Sequence, residues 1–205
     1  MATVYMATYE GAAACAALGG PLTLTSDGEA LTGLYLTDQK YFLAGVSGLR
    51  EERPDLPVFA QARAWLDRYF AAGAPAREAQ AGSAHGSANP WPTPADLPLA
   101  PVGSAFRQRV WRILSEIPRG ELRTYGDIAR QFEHETGRPV ANQAVGGAVG
   151  HNPISIIIPC HRVVGTNGSL TGYAGGVRHK VWLLEHEGVD LAARGLFVPT
   201  RGTAL

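Results

Sequence analysis

Cysteine is scarce in this 205-residue chain, appearing only as Cys15 and Cys160. Two thiols allow at most one disulfide, and a chain of this length buries enough core to need none, so the usage suits a reducing compartment. Net charge is absent too. The 18 Lys and Arg balance the 18 Asp and Glu, so global charge advertises neither a nucleic acid nor a membrane. No apolar run approaches the ~18 residues of a membrane span. The first twenty residues place no Lys or Arg ahead of an apolar region, unlike a signal or transit peptide. The expected location is therefore the cytoplasm, or the nucleus where the source has one. No sequence repeat is visible. No Cys or His cluster has ligand spacing, so no metal is expected.

What is present divides the chain. Its first forty residues read as strands: a short alternating run over Thr3–Thr8, then LTLTSDGEALTGLYLT over Leu22–Thr37. Alternation on both sides of Asp27-Gly28 predicts a hairpin, with Leu22 and Leu24 on one face opposite Leu34 and Leu36. From Val58 the period becomes helical. Phe59, Ala62, Trp65, Leu66 and Tyr69 form a stripe, closed by Gly73 and Pro75. Residues 74–100 are rich in Ala, Gly, Ser and Pro, the composition of a linker, and His85 within them reads as a solvated residue.

After Pro101 the pattern turns helical again. Ser104 is positioned to cap a helix carrying Phe106, Val110, Trp111 and Leu114, which Pro118 and Gly120 close. Thr124 can cap a second helix, and Ala141–Gly150 forms a third with small side chains. The pair fits a helix-turn-helix, and a plain three-helix packing unit fits the pattern equally well. An isoleucine run, a Gly-rich loop and a last amphipathic helix follow, then a tail without pattern from Leu191. The expected domains are 1–73, a linker at 74–100, 101–190, and a tail at 191–205. Between Gly103 and Gly188 ten basic residues face seven acidic ones, a modest basic excess.

The isoleucine run reads as a strand and stops at Pro159-Cys160-His161-Arg162. A structural cysteine needs no base beside it. A nucleophilic one does, because the thiolate attacks and a free thiol is mostly protonated near neutral pH. His161 can take that proton directly or through water, and a carboxylate can hold the imidazole in the useful tautomer. Glu185 and Glu187 on the last helix are both candidates, and the pattern does not choose between them. A buried core thiol, a cysteine hydrolase and a redox sensor stay open as alternatives. Cys15 reads as a small core residue of the first domain, remote in sequence from Cys160.

Three stretches together, GSAFRQRVWRILSEIPRGELRTYGDIA, AVGGAVGHNPISIIIPCHRVVGTNGSLTGYAGG and KVWLLEHEG, resemble the O6-alkylguanine-DNA alkyltransferases. PCHR followed by GYAGG and WLLEHEG is a highly specific order, and GGPLTLTSDGEALTGLYLT is similar, less closely, to the family's first domain. The resemblance implies an α/β N-terminal domain, a small antiparallel sheet plus helix. A mainly α C-terminal domain with a winged helix-turn-helix-like DNA-binding unit follows it.

It implies Cys160 as alkyl acceptor, His161 as its water-linked base and Glu187 as orienter, with Asn152 bracing the turn. Tyr125 would help rotate the nucleotide out of the duplex and donate a proton to the guanine ring. Tyr173 and the backbones of Val163 and Ala174 would form the guanine pocket. Ala141, Gly146 and Gly147 would allow close approach to the minor groove. The implied activity is a single, irreversible transfer of an alkyl group from guanine O6, with thymine O4 a further candidate, to a cysteine, without a cofactor. The implied partner is double-stranded DNA containing O6-alkylguanine, with no membrane, and the protein would be a monomer whose cooperativity on DNA stays open. A damage-binding protein that transfers nothing is the competing class, and Cys160 argues against it. One position departs from the family: Gln143 stands where an arginine usually fills the gap left by the flipped base.

Overall fold

The computed structural model describes residues 3–72 and 91–200. Four strands make the N-terminal sheet: β1 (Thr3–Tyr9), β2 (Leu22–Ser26), β3 (Leu31–Tyr35) and β4 (Leu49–Glu52), in the order β3-β2-β1-β4. The expected hairpin is β2–β3, with Leu24 opposite Leu34 and both buried. Its loop holds four residues, Asp27 to Ala30. The Asp27 carboxylate accepts from the Glu29 and Ala30 amides, and Gly28 takes φ 109°.

The sheet is mixed, not wholly antiparallel. β4 joins the edge of β1 in parallel, and its residues LREE are all exposed, so no alternation betrayed it. The strand-only expectation for the first forty residues also needs correction. α1 (Ala12–Leu18) packs Ala14 and Leu18 inward and leaves Cys15 half-buried. α2 (Pro57–Ala71) opens on proline, whose fixed φ and missing N–H suit a first helical turn, and it buries the predicted stripe.

Residues 91–100 share the linker's composition yet are tied down. Thr93 and Asp96 form a capping box on a short 3₁₀ turn, and the Trp65 indole N–H donates to the Thr93 carbonyl at 2.8 Å. Leu31 N–H donates to Pro98 O and Ala100 N–H to Leu31 O, so this segment covers part of the outer edge of β3. Gly73, Pro75 and His85 lie outside the described residues.

Three helices pack on one another in the C-terminal half: α3 (Ala105–Ser115), α4 (Tyr125–Thr136) and α5 (Asn142–Gly150). The Ser104 hydroxyl caps α3. Thr124 caps α4 in a reciprocal box with Asp127. The Trp111 indole N–H donates to Ala148 O at 2.8 Å and sets the distance between α3 and α5. A two-strand parallel ribbon, β5 (Arg123–Thr124) with β6 (Val163–Val164), leads into the loop before α6 (Val177–His186). The tail also folds back. Leu191 and Leu196 join Val164, Leu170, Leu184 and Val189 in a second small core.

Candidate active site and nucleic-acid interface

The isoleucine run is not a strand. Ile154 to Ile158 form a buried, irregular turn in which Ile156 holds φ 70°, a left-handed conformation that a β-branched residue resists at a cost of ~1–3 kcal/mol. Asn152 over-determines this turn. Its amide nitrogen lies 2.8 Å from Ile158 O, 3.3 Å from Ile154 O and 3.1 Å from Cys160 Sγ, while its oxygen accepts from Ile154 N–H. Proline then ends the run, and Cys160–Arg162 close into one 3₁₀ turn. That turn aims three consecutive side chains inward; Cys160, His161 and Arg162 are all buried.

His161 meets the end of α6. Its Nε2 is 2.8 Å from Glu187 Oε1, and a carboxylate only accepts, so Nε2 carries the hydrogen. Neutral imidazole then has its lone pair on Nδ1, which is buried without a protein partner. Glu187 also accepts from Arg162 through Nε and Nη2, both at 2.8 Å, and from the Tyr69 hydroxyl at 2.8 Å. Glu185, two residues earlier, is exposed.

Burial alone would raise the Glu187 carboxyl, but His161 and Arg162 outweigh it and hold it well below the usual carboxylate range. Burial pushes the His161 pKa down against the pull of Glu187, so the ring rests neutral. It pushes the Cys160 thiol up, opposed by the Asn152 hydrogen bond and the Lys180 charge.

Sequence reasoning assigned no role to Lys180, Arg162 or Tyr69. Lys180 is wholly buried, donating to Val163 O at 2.5 Å and Thr171 O at 2.8 Å, and burial lowers it to about 8. One signal could have found it. Lys180, Leu183, Leu184 and Glu187 share the inward stripe of α6 at helical spacing, with a charge at each end. Tyr69 had no such signal, because it reaches Glu187 across 118 positions of sequence.

The remaining predicted residues divide between pocket and groove. Tyr173 is buried, its ring edge-on to His161 with centroids 6.4 Å apart. The Val163 carbonyl is taken by Lys180, and the Ala174 carbonyl accepts from Lys40 N–H at 2.9 Å. Tyr125 donates to Thr171 O at 3.3 Å, and burial raises its hydroxyl to about 12.

A groove of about 830 Å³ opens beside it, lined by Tyr125, Ala174, the Gly-rich loop and the α5 residues Gln143, Gly146 and Gly147. Ala141 is the exposed N-cap of α5, outside that lining. Cys15 and Cys160 are both free thiols. Among the described residues, no group of three His, Cys, Asp or Glu is arranged to hold a metal, and no helix is long and apolar enough to cross a membrane.

Two family descriptions match the sequence: "6-O-methylguanine DNA methyltransferase, ribonuclease-like domain" over residues 9–75, and its "DNA binding domain" over 105–189. The chain is 38% identical to the methylated-DNA–protein-cysteine methyltransferase of Haemophilus influenzae, covering 86% of this chain and 85% of that one. It is 42% identical to the Mycobacterium leprae protein of the same name, over 82% and 86%. The solved structure of Mycobacterium tuberculosis OGT in complex with DNA superposes with a TM-score of 0.69 at 38% identity, covering 90% of this chain and 93% of that one.

Proposed function

Because the chain belongs to the 6-O-methylguanine DNA methyltransferase family, we propose that it repairs DNA by direct reversal, moving an alkyl group from guanine O6 to Cys160. The observation that carries the chemistry is the His161 tautomer. Glu187 fixes hydrogen on Nε2 and leaves a buried, unpartnered base nitrogen on the ring next in sequence to the thiol.

The thiol proton passes to Nδ1, directly or through water, and the sulfur attacks the alkyl carbon. The S–C bond forms as the C–O6 bond breaks, and the electron pair leaves on guanine. Tyr125 donates to the ring, and the imidazolium proton makes good the balance, so the net transfer is hydrogen from sulfur to guanine. Such a donor stabilises the leaving anion most where water is excluded. Asn152 and Lys180 favour the developing thiolate against burial. Tyr173 walls the guanine pocket beside His161, and the backbones of Val163 and Ala174 frame it. A thioether has no internal route of release, so each molecule acts once and needs no cofactor.

Inside a duplex the alkyl carbon is out of reach, so the nucleotide must be flipped out, at a cost of a few kcal/mol. The bare face of α5 at Gly146 and Gly147, beyond the Ala141 cap, supports docking in the minor groove, and Gln143 meets the orphaned base as a neutral amide. The working form is a monomer on double-stranded DNA carrying O6-alkylguanine, in the compartment that holds the chromosome.

Intact-protein mass spectrometry after mixing with excess duplex bearing one O6-methylguanine tests this. One methyl per chain, on the Cys160 peptide and absent in Cys160→Ala, is expected. Tight binding without mass gain would replace the proposal with a damage sensor, and repeated turnover would replace it with a hydrolase.

A further inference from the structure

A groove that holds a polyanion needs cations, and α5 supplies none: Asn142 and Gln143 are neutral and Gly146, Gly147 and Gly150 are bare. Among the described residues that line the groove, Lys40 is the one with a permanent charge, and no carboxylate faces it. Lys40 belongs to the N-terminal domain. We infer that Lys40 contacts a phosphate of the bound DNA strand, so that the N-terminal domain completes a DNA-binding surface otherwise built by the C-terminal one.

The loop carrying Lys40 is fixed to the C-terminal half at three places. Gln39 is buried, and its oxygen accepts from the Leu36 amide at 2.9 Å and the Ser155 hydroxyl at 3.3 Å. Lys40 N–H donates to Ala174 O beside the pocket at 2.9 Å. Tyr41 holds φ 64° and stacks on His151, ring centroids 3.9 Å apart, while His151 Nδ1 donates to Gly147 O on α5 at 2.7 Å. Between these anchors the Lys40 side chain is exposed, its ammonium 5.2 Å from the Tyr41 ring centre. A solvated surface lysine needs no such mounting. This one is held at the groove by its backbone and over a ring by its charge.

The inference rests on the DNA reading above, and its test separates the two. Full-length wild type, Lys40→Gln and Lys40→Arg are titrated with a fluorescent duplex carrying one O6-methylguanine, between about 50 and 200 mM NaCl. Lys40→Gln should bind about three- to tenfold more weakly, with the slope of log K against log[NaCl] shallower by about 0.9, the signature of one lost phosphate neutralisation. Lys40→Arg should restore both. Wild-type affinity and slope in Lys40→Gln overturn the inference, as does weaker binding with an unchanged slope that arginine does not rescue. Methyl gain at Cys160 is read separately. Failed transfer alongside the Lys40-dependent slope overturns the transfer reading alone.

Discussion

The Glu187 cluster and the α5 groove both draw on the two halves of the chain and are built to opposite rules. Around Glu187 the polar groups are buried and converge: Tyr69, His161 and Arg162 donate to one carboxylate. The groove is open, nearly uncharged and floored by glycine. Proton transfer benefits from a low-dielectric interior, where one hydrogen bond decides which nitrogen is the base. Seizing a duplex calls for the reverse, a wet surface with little side chain in the way.

The sharpest way to break this contrast is Glu187→Gln. It leaves Arg162 buried beside a neutral amide and frees the imidazole tautomer. Transfer should slow about a hundredfold, and stability should fall by roughly 3–5 kcal/mol. Glu185→Gln on the exposed side should stay within about 0.5 kcal/mol in thermal melts and leave the single-turnover rate near wild type. The reverse ranking would sink the assignment of Glu187.

Gly147→Leu probes the groove instead. A Cβ there meets nothing within 4 Å, so the fold has room for it. A leucine should weaken duplex binding about tenfold while helix stability rises by up to ~1 kcal/mol. Unchanged DNA titrations would mean that α5 does not face the duplex.

Gln143→Arg should tighten binding a few-fold and steepen the salt slope by about 0.9, since it adds one cation to the groove. A flat response would place residue 143 away from the backbone.

The smallest effect is expected from pH. An ordinary imidazole would gain its proton near 6.5 and lose its function as a base below that. The His161 pKa lies lower because burial disfavours the cation, so as pH falls from about 7.5 the ring gains its proton only below that ordinary midpoint. The Cys160 thiol, pushed up, stays protonated over the same range. Single-turnover rates at saturating DNA should therefore fall with a midpoint below 6.5. A midpoint at 6.5 would show a solvated His161.

Local signals made much of this legible in the sequence. The caps at Ser104 and Thr124, the α2 stripe and the Cys160-His161 pair all depend on residues within one or two turns of each other. What escaped lacked a local signal. β4 presents four exposed residues with no alternation, and α1 is an alanine run without a side-chain cap. The isoleucine run has strand composition, yet the hydrogen bonds of Asn152 impose a turn on it, a tertiary decision that propensity cannot report. The choice of Glu187 over Glu185 came from family resemblance. The structure supplies a physical ground for it: one is inside and bonded, the other outside.

The hydrogen bond from Tyr69 to Glu187 also bears on how freely such proteins can be recombined. A carboxylate on the last helix is completed by a hydroxyl from α2, and β3 exchanges backbone bonds with Pro153 and Ser155 in the strained turn before the thiol. Neither half owns the site. A chimera that joins this C-terminal half to a relative's N-terminal half should inherit activity only if the graft brings a matching tyrosine and a β3 edge in the same register.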